Sequence, residues 1–267
     1  MVGESREVTP KKHDLLRELL GMDVSRRALH PRNRTYTYIE LGAGDGSRSC
    51  SGTSGPLIAS EYARRVDMSC IFVEKDKNAF KYLMNNKNIV KDRILGDITQ
   101  PQTIKRIPDL RDERTFVFAD PNCAHEWMIT EPLLNKLGKR RTILATMGFQ
   151  QSKRNPFTYP RLGPAVRRGI QMMINWLPEQ HDMMIMHKKS KGQFAFLYSG
   201  HESMIIGAKE AFKNSFGSGQ EEIIMVEYKK NKHLFFEVIE YLVNRKEDFE
   251  KEHGIDPDYF LEEVASG

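Results

Sequence analysis

Short apolar runs, each closed by an acid or a glycine, recur along the first half of the chain. Tyr38-Ile39-Glu40-Leu41 leads into Gly42-Ala43-Gly44-Asp45-Gly46, and Cys70-Ile71-Phe72-Val73 ends in Glu74. Arg93-Ile94-Leu95 ends in Gly96-Asp97, and Thr115-Phe116-Val117-Phe118-Ala119 ends in Asp120-Pro121. Aromatic and β-branched residues dominate these runs, as in strands. Thr142 to Met147 forms a fifth run. Stretches of helical spacing separate the runs, so the region from about 36 to 149 predicts βαβ units and a parallel sheet.

The flanking regions follow other patterns. Residues 1–34 read as a polar arm around one amphipathic helix, with Leu15, Leu16, Leu19 and Leu20 at helical spacing and Pro31 ending the segment. Residues 150–168 hold three prolines and several arginines and lysines, which predicts a long loop. A helix is expected from about Pro164 to Leu177, with Met172, Met173 and Trp176 on its apolar side. The runs Asp182 to His187 and Phe194 to Ser199, joined by a short segment containing Gly192, predict a hairpin. From about 203 onward the chain reads as further helices, one face carrying Leu234, Phe235, Val238, Ile239 and Leu242. The expected division is an N-terminal helical arm over 1–34, an α/β domain over 35–200 and a helical C-terminal extension over 201–267.

The glycine-rich turn after the first strand lets a ligand approach bare backbone, and acids at the carboxyl ends of successive strands lie where open α/β sheets bind ligands. A carboxylate at the position of Glu74 suits the two hydroxyls of a ribose and disfavours a 2′-phosphate. Gly44 and Glu74 are 30 residues apart, where about 20 is usual in nucleotide-binding folds. The polar insertion Ser47 to Gly55 accounts for the excess, and Pro56 then opens the next helix.

Composition narrows the class without naming a ligand. Hydrophobic residues make up 39% of the 267, enough for a sizeable core. The net charge of +5 permits an acidic partner such as nucleic acid without demanding one. The three cysteines, Cys50, Cys70 and Cys123, include no Cys-x-x-Cys pair, so neither a disulfide framework nor a metal site is expected. No run approaches the length of a membrane span, and a reducing cytoplasmic setting is expected.

Acids after four strands around a glycine turn resemble the layout of class I S-adenosylmethionine-dependent methyltransferases. A helix and an antiparallel hairpin after the parallel strands are the usual finish of that fold. The resemblance implies a seven-stranded, mostly parallel Rossmann-like sheet with an antiparallel hairpin at its edge and helices on both faces. It implies S-adenosylmethionine as cofactor, bound by Glu40, Gly42, Gly44, Asp45, Gly46, Glu74 and Asp97. Asp97 would face the adenine amine; Asp is also an ordinary turn residue. Asp120, Pro121 and Asn122 stand where amino-methyltransferases of nucleic acids place their acceptor-binding turn. There an acid or amide and a prolyl carbonyl hold the target amine. The chain departs at Asn122, where a second proline is expected, and at Cys123, where an aromatic is expected; Trp127 is a candidate stacking face. Cys123 reads better as a small hydrophobe than as a nucleophile, because the loop after the fifth run carries no acid to assist it.

Several stretches are also similar, in order, to the three-Cys-motif partner family of methyltransferase-like proteins. These are Lys12-His13-Asp14-Leu15-Leu16, the turn closing on Gly55-Pro56-Leu57-Ile58-Ala59, and Phe72-Val73-Glu74-Lys75-Asp76. Asp120-Pro121-Asn122, Lys153-Arg154-Asn155 and Gln193-Phe194-Ala195-Phe196-Leu197 complete the set. Asp45 stands where that family more often shows proline, and Glu40 where it more often shows aspartate. The family name implies a partner protein bearing a cysteine motif. Lys153, Arg154, Arg161 and Arg167, interleaved with Phe157 and Tyr159, are the expected nucleic-acid contacts. A solvated loop packed by its own aromatics explains the same residues. The leading expectation is methyl transfer to nucleic acid, DNA ahead of RNA. Its rivals are a non-catalytic module that binds nucleic acid or a partner, and a methyltransferase for a protein or small molecule.

Overall fold

A computed structural model describes residues 8–29, 35–46, 53–90, 92–120, 128–139, 141–148, 162–176, 181–188, 193–217 and 223–243. The elements in chain order are α1 (Val8–Leu29), β1 (Tyr36–Leu41), α2 (Gly55–Ala63), β2 (Met68–Glu74), α3 (Lys77–Asn85), β3 (Asp92–Leu95) and α4 (Pro101–Arg106). Then come β4 (Arg114–Ala119), α5 (Glu131–Leu134), β5 (Arg141–Gly148), α6 (Leu162–Asn175), β6 (Asp182–Lys188), β7 (Gln193–Ser199), α7 (Glu202–Phe216), β8 (Ile223–Glu227) and α8 (Lys232–Val243).

The strands form one sheet in the order β3-β2-β1-β4-β5-β7-β6-β8. Pairing is parallel from β3 through β5 and antiparallel from β5 through β8. The fold is thus α/β with a mostly parallel, Rossmann-like sheet, and the expected β6–β7 hairpin is present beyond β5. The chain winds outward one way from β1 through β2 and β3, then the other way from β4, so β1 and β4 flank the point where ligands bind in such sheets.

Alternation along the strands sorts the core into two layers. Tyr36 and Tyr38 of β1, Phe72 of β2, Phe116 and Phe118 of β4 and Leu144 of β5 share one layer with α1, α2 and α7. Ile39, Leu41, Val73, Val117 and Ile143 share the other with α4, α5, α6 and α8. The leucines expected on one face of α1 are all fully buried, so this helix is docked on the sheet rather than trailing from it.

α1 is also held by a buried polar knot. Asp23, with no exposed surface, accepts from the Tyr36 hydroxyl at 2.7 Å and from Arg114 Nη2 at 2.8 Å. The Thr142 hydroxyl donates to it at 3.3 Å. These partners begin β1, β4 and β5, so one carboxylate ties the helix to three strands. Asp23→Ala removes the acceptor shared by a partly buried guanidinium and two buried hydroxyls. The expected loss is about 3–5 kcal/mol, read as a lower denaturant midpoint at unchanged slope.

Two expectations are corrected. The chain after 201 is not helical throughout: Ile223–Glu227 is β8, which pairs antiparallel with β6 and makes the sheet eight-stranded, with the hairpin inside its edge. Four apolar residues closed by Glu227 have no periodicity that separates strand from helix; the open edge of β6 decides it. The expected helix from about Pro164 begins at Leu162, inside the stretch expected as a loop over 150–168, whose residues 150–161 lie outside the described residues. Pro164 falls in the first turn of α6, where a missing N–H costs nothing.

Candidate functional site

The same-face series Tyr38, Phe72, Phe118 and Leu144 continues, two residues on, to Glu40, Glu74, Asp120 and Thr146. Leu41 pairs with Val73 on one side and Ala119 on the other. Glu74 and Asp120 therefore follow on either side of Gly42, and Glu40 lies one same-face step before it. All three carboxylates are buried: Glu40 is 3% exposed, Glu74 4% and Asp120 8%. They converge at the carboxyl ends of the strands, at the β1/β4 reversal.

The turn after β1 is bent over β2, with Gly42 and Ala43 N–H groups both donating to Val73 O. Gly42 and Gly44 have φ of 77° and 65°, a region in which side chains other than glycine are strained. The two differ in surroundings. A Cβ on Gly42 would come within 3.0 Å of Asp120 O, whereas one on Gly44 would meet nothing within 4 Å among the described residues. Among them, Gly44 has room beside it for a ligand to lie against its backbone. Gly46 has the same handedness, but a Cβ there would overlap Ile89 and Leu83, so its smallness serves packing. Asp45 between them is exposed.

Glu74 is fixed at both oxygens. Oε2 accepts from Gly44 N–H and Oε1 from Asp76 N–H, each at 2.7 Å. Each oxygen retains a lone pair for a further donor. Glu40 is held differently. Its Oε2 accepts from the Tyr38 hydroxyl at 3.0 Å, and Gly55, the first residue of α2, lies so close that a Cβ would overlap the carboxylate. Burial pushes the Glu40 carboxyl well above the usual range, and the nearby charges of Asp120 and Glu74 add to the rise against the Tyr38 hydrogen bond. A cation brought among the three acids would favour the ionised form.

Asp120 has partners that its place in the sequence did not announce. Lys12 Nζ, on the second turn of α1, donates to Oδ1 at 2.9 Å. The Thr146 hydroxyl at the end of β5 donates to the same oxygen at 2.7 Å. Lys12 is 1% exposed and Thr146 likewise. Of the expected site residues, the structure thus brings Glu40, Gly42, Gly44, Glu74 and Asp120 together and adds Lys12, Tyr38, Gly55 and Thr146. Thr146 and Tyr38 follow from extending the alternation; Lys12 and Gly55 have no such signal.

Asp97 stands apart from this group. Its Oδ1 accepts from the N–H and hydroxyl of Thr99 at 2.8 and 2.7 Å, a local turn after β3. Partial burial raises this carboxyl, but the Thr99 hydrogen bonds and Lys75 outweigh it, and the result lies below the usual value. Pro121, Asn122, Cys123 and Trp127 lie outside the described residues, as do Lys153, Arg154 and Arg161. Arg167 falls within α6, next to the exposed Arg168.

No protein-family model matches this sequence, and no curated protein does. Among solved structures, protein LPL1258 of Legionella pneumophila, assigned to family DUF519, is similar with a TM-score of 0.55 and 11% identity. The match covers 85% of this chain and 97% of the other. At that identity the likeness shows a shared fold. The plantazolicin methyltransferase BpumL, solved with S-adenosylhomocysteine, matches with a TM-score of 0.41 and 9% identity over 72% of this chain and 86% of its own. Precorrin-6y C5,15-methyltransferase of Geobacter metallireducens matches with 0.38 and 10% over 71% and 86%. Scores at this level carry no argument for the chain, whose site must be read from its own residues.

Proposed function

We propose that the crevice at the β1/β4 reversal binds S-adenosylmethionine and that the protein transfers its methyl group to an amine of nucleic acid, DNA ahead of RNA. The observation that carries the reading is the set of three buried carboxylates, Glu40, Glu74 and Asp120, around a glycine turn in which no described residue crowds Gly44. The donor set fits the cofactor: Glu40 suits its ammonium charge, the anchored Glu74 suits its ribose hydroxyls, and bare backbone suits close approach. When bound, the cofactor supplies an electrophilic methyl group. Glu74 then accepts from the ribose, and Glu40 faces the amino-acid end. Asp97, with Oδ1 held by Thr99, is assigned to the adenine amine.

On the acceptor side, Asp120 accepts a hydrogen bond from the target amine and draws electron density toward its nitrogen. Pro121 and Asn122, which follow directly, are assigned to the same turn. Such catalysis is mostly positioning and electrostatics. The net charge of +5 and the basic stretch holding Lys153, Arg154, Arg161 and Arg167 support a polyanionic acceptor. The similarity to the three-Cys-motif partner family adds a candidate protein partner bearing a cysteine motif.

The test is transfer of label from methyl-tritiated S-adenosylmethionine to duplex DNA, single-stranded DNA and RNA at low salt, where electrostatic binding is strongest. Label in nucleic acid, DNA first, is the expected result. Saturable cofactor binding with label in none of the three would contradict the nucleic-acid reading.

A further inference from the structure

The ion pair between Lys12 and Asp120 is buried and joins residues 108 positions apart. Burying two charges gains little stability, because desolvation offsets the attraction. Docking of α1 does not depend on it. Leu15, Leu16, Leu19 and Leu20 are fully buried, and Asp23 anchors the helix to Arg114 at the opposite end of the strands. The pair therefore calls for a reason at the site itself.

The surroundings supply one. Asp120 faces Lys12 from α1, the Thr146 hydroxyl from β5, Glu40 from β1 and, beyond it, Glu74 from β2. Among the described residues around these three carboxylates, Lys12 is the cation that donates to Asp120. Lys12 and Thr146 both donate to Oδ1, so two side chains fix the plane of the carboxylate and Oδ2 is the oxygen left to accept from a substrate.

We propose that Lys12 is a positioning residue for the acceptor site. Its ammonium, with the Thr146 hydroxyl, pins Oδ1 so that the other oxygen is left to receive the target amine. The inference rests on the methyl-transfer reading of this site.

The experiment compares single-turnover methyl transfer, per mole of folded protein, with affinity for S-adenosylmethionine in wild type, Lys12→Met and Lys12→Arg. The transfer rate should fall about tenfold or more in Lys12→Met and recover in large part in Lys12→Arg, which keeps a donor to Oδ1, while affinity for S-adenosylmethionine changes by less than about threefold in both. Lys12→Gln replaces the methionine variant if that one does not fold. A transfer rate in Lys12→Met equal to wild type would reduce Lys12 to a packing role and overturn the proposal. A wild type that binds the cofactor and transfers no methyl group would instead sink the methyl-transfer reading, and with it any role for Lys12 in acceptor positioning.

Discussion

Replacing Asp120 by alanine should lower methyl transfer by about a thousandfold while leaving cofactor affinity within a few-fold. The carboxylate lies at the β4 end of the site, on the far side of Gly42 from Glu74, so its loss leaves the Glu74 and Gly44 contacts intact. Removing one preorganised polar group at a reacting centre costs about 10²–10³ in rate, and here the same change also removes the carboxylate to which Lys12 donates. That second effect bears on stability: deleting one member of a buried ion pair costs about 3–5 kcal/mol. Transfer must therefore be measured per mole of folded protein. Asp120→Asn separates the effects, since the amide oxygen can still accept from Lys12 and Thr146 while the charge is gone. Equal loss of binding and transfer in the alanine variant would argue against the assignment, as would the loss of neither.

Replacing Glu74 should abolish cofactor binding at working concentrations. Its two oxygens each hold one backbone N–H of the turns flanking the site, at 2.7 Å, and their remaining lone pairs are assigned to the ribose. Two charge-assisted hydrogen bonds are worth about 3 kcal/mol or more together, hence a hundredfold or more in affinity. Glu74→Gln should do nearly as badly as Glu74→Ala. An amide offers one accepting oxygen where two N–H donors converge, so its NH₂ group would face a backbone donor. A glutamine variant that binds as wild type would place the ribose elsewhere.

How far the sequence reaches is visible in the same residues. The acids after β1, β2 and β4 were legible because strand alternation has a period of two, so a run that buries Tyr38, Phe72 and Phe118 on one face sets the next same-face residue beside its neighbours. The glycine turn was legible because left-handed backbone demands glycine at Gly42 and Gly44. Lys12 was not, since nothing local distinguishes a lysine that reaches Asp120 from one on the solvated side of an amphipathic helix. Nor was Gly55, which read as the end of an insertion until the fold laid α2 against Glu40. Asp97 met the same pattern of an acid after a strand, and the structure adds that its Oδ1 closes a local turn with Thr99. β8 escaped because four apolar residues closed by Glu227 become a strand only beside an unpaired edge.

The central claim is that the three-carboxylate crevice takes S-adenosylmethionine. Calorimetric titration of S-adenosylmethionine and S-adenosylhomocysteine into the wild-type protein tests it most directly. The account predicts saturable one-to-one binding in the micromolar range, lost in Glu74→Ala. No binding heat in the wild type, or the same affinity in both proteins, would contradict it.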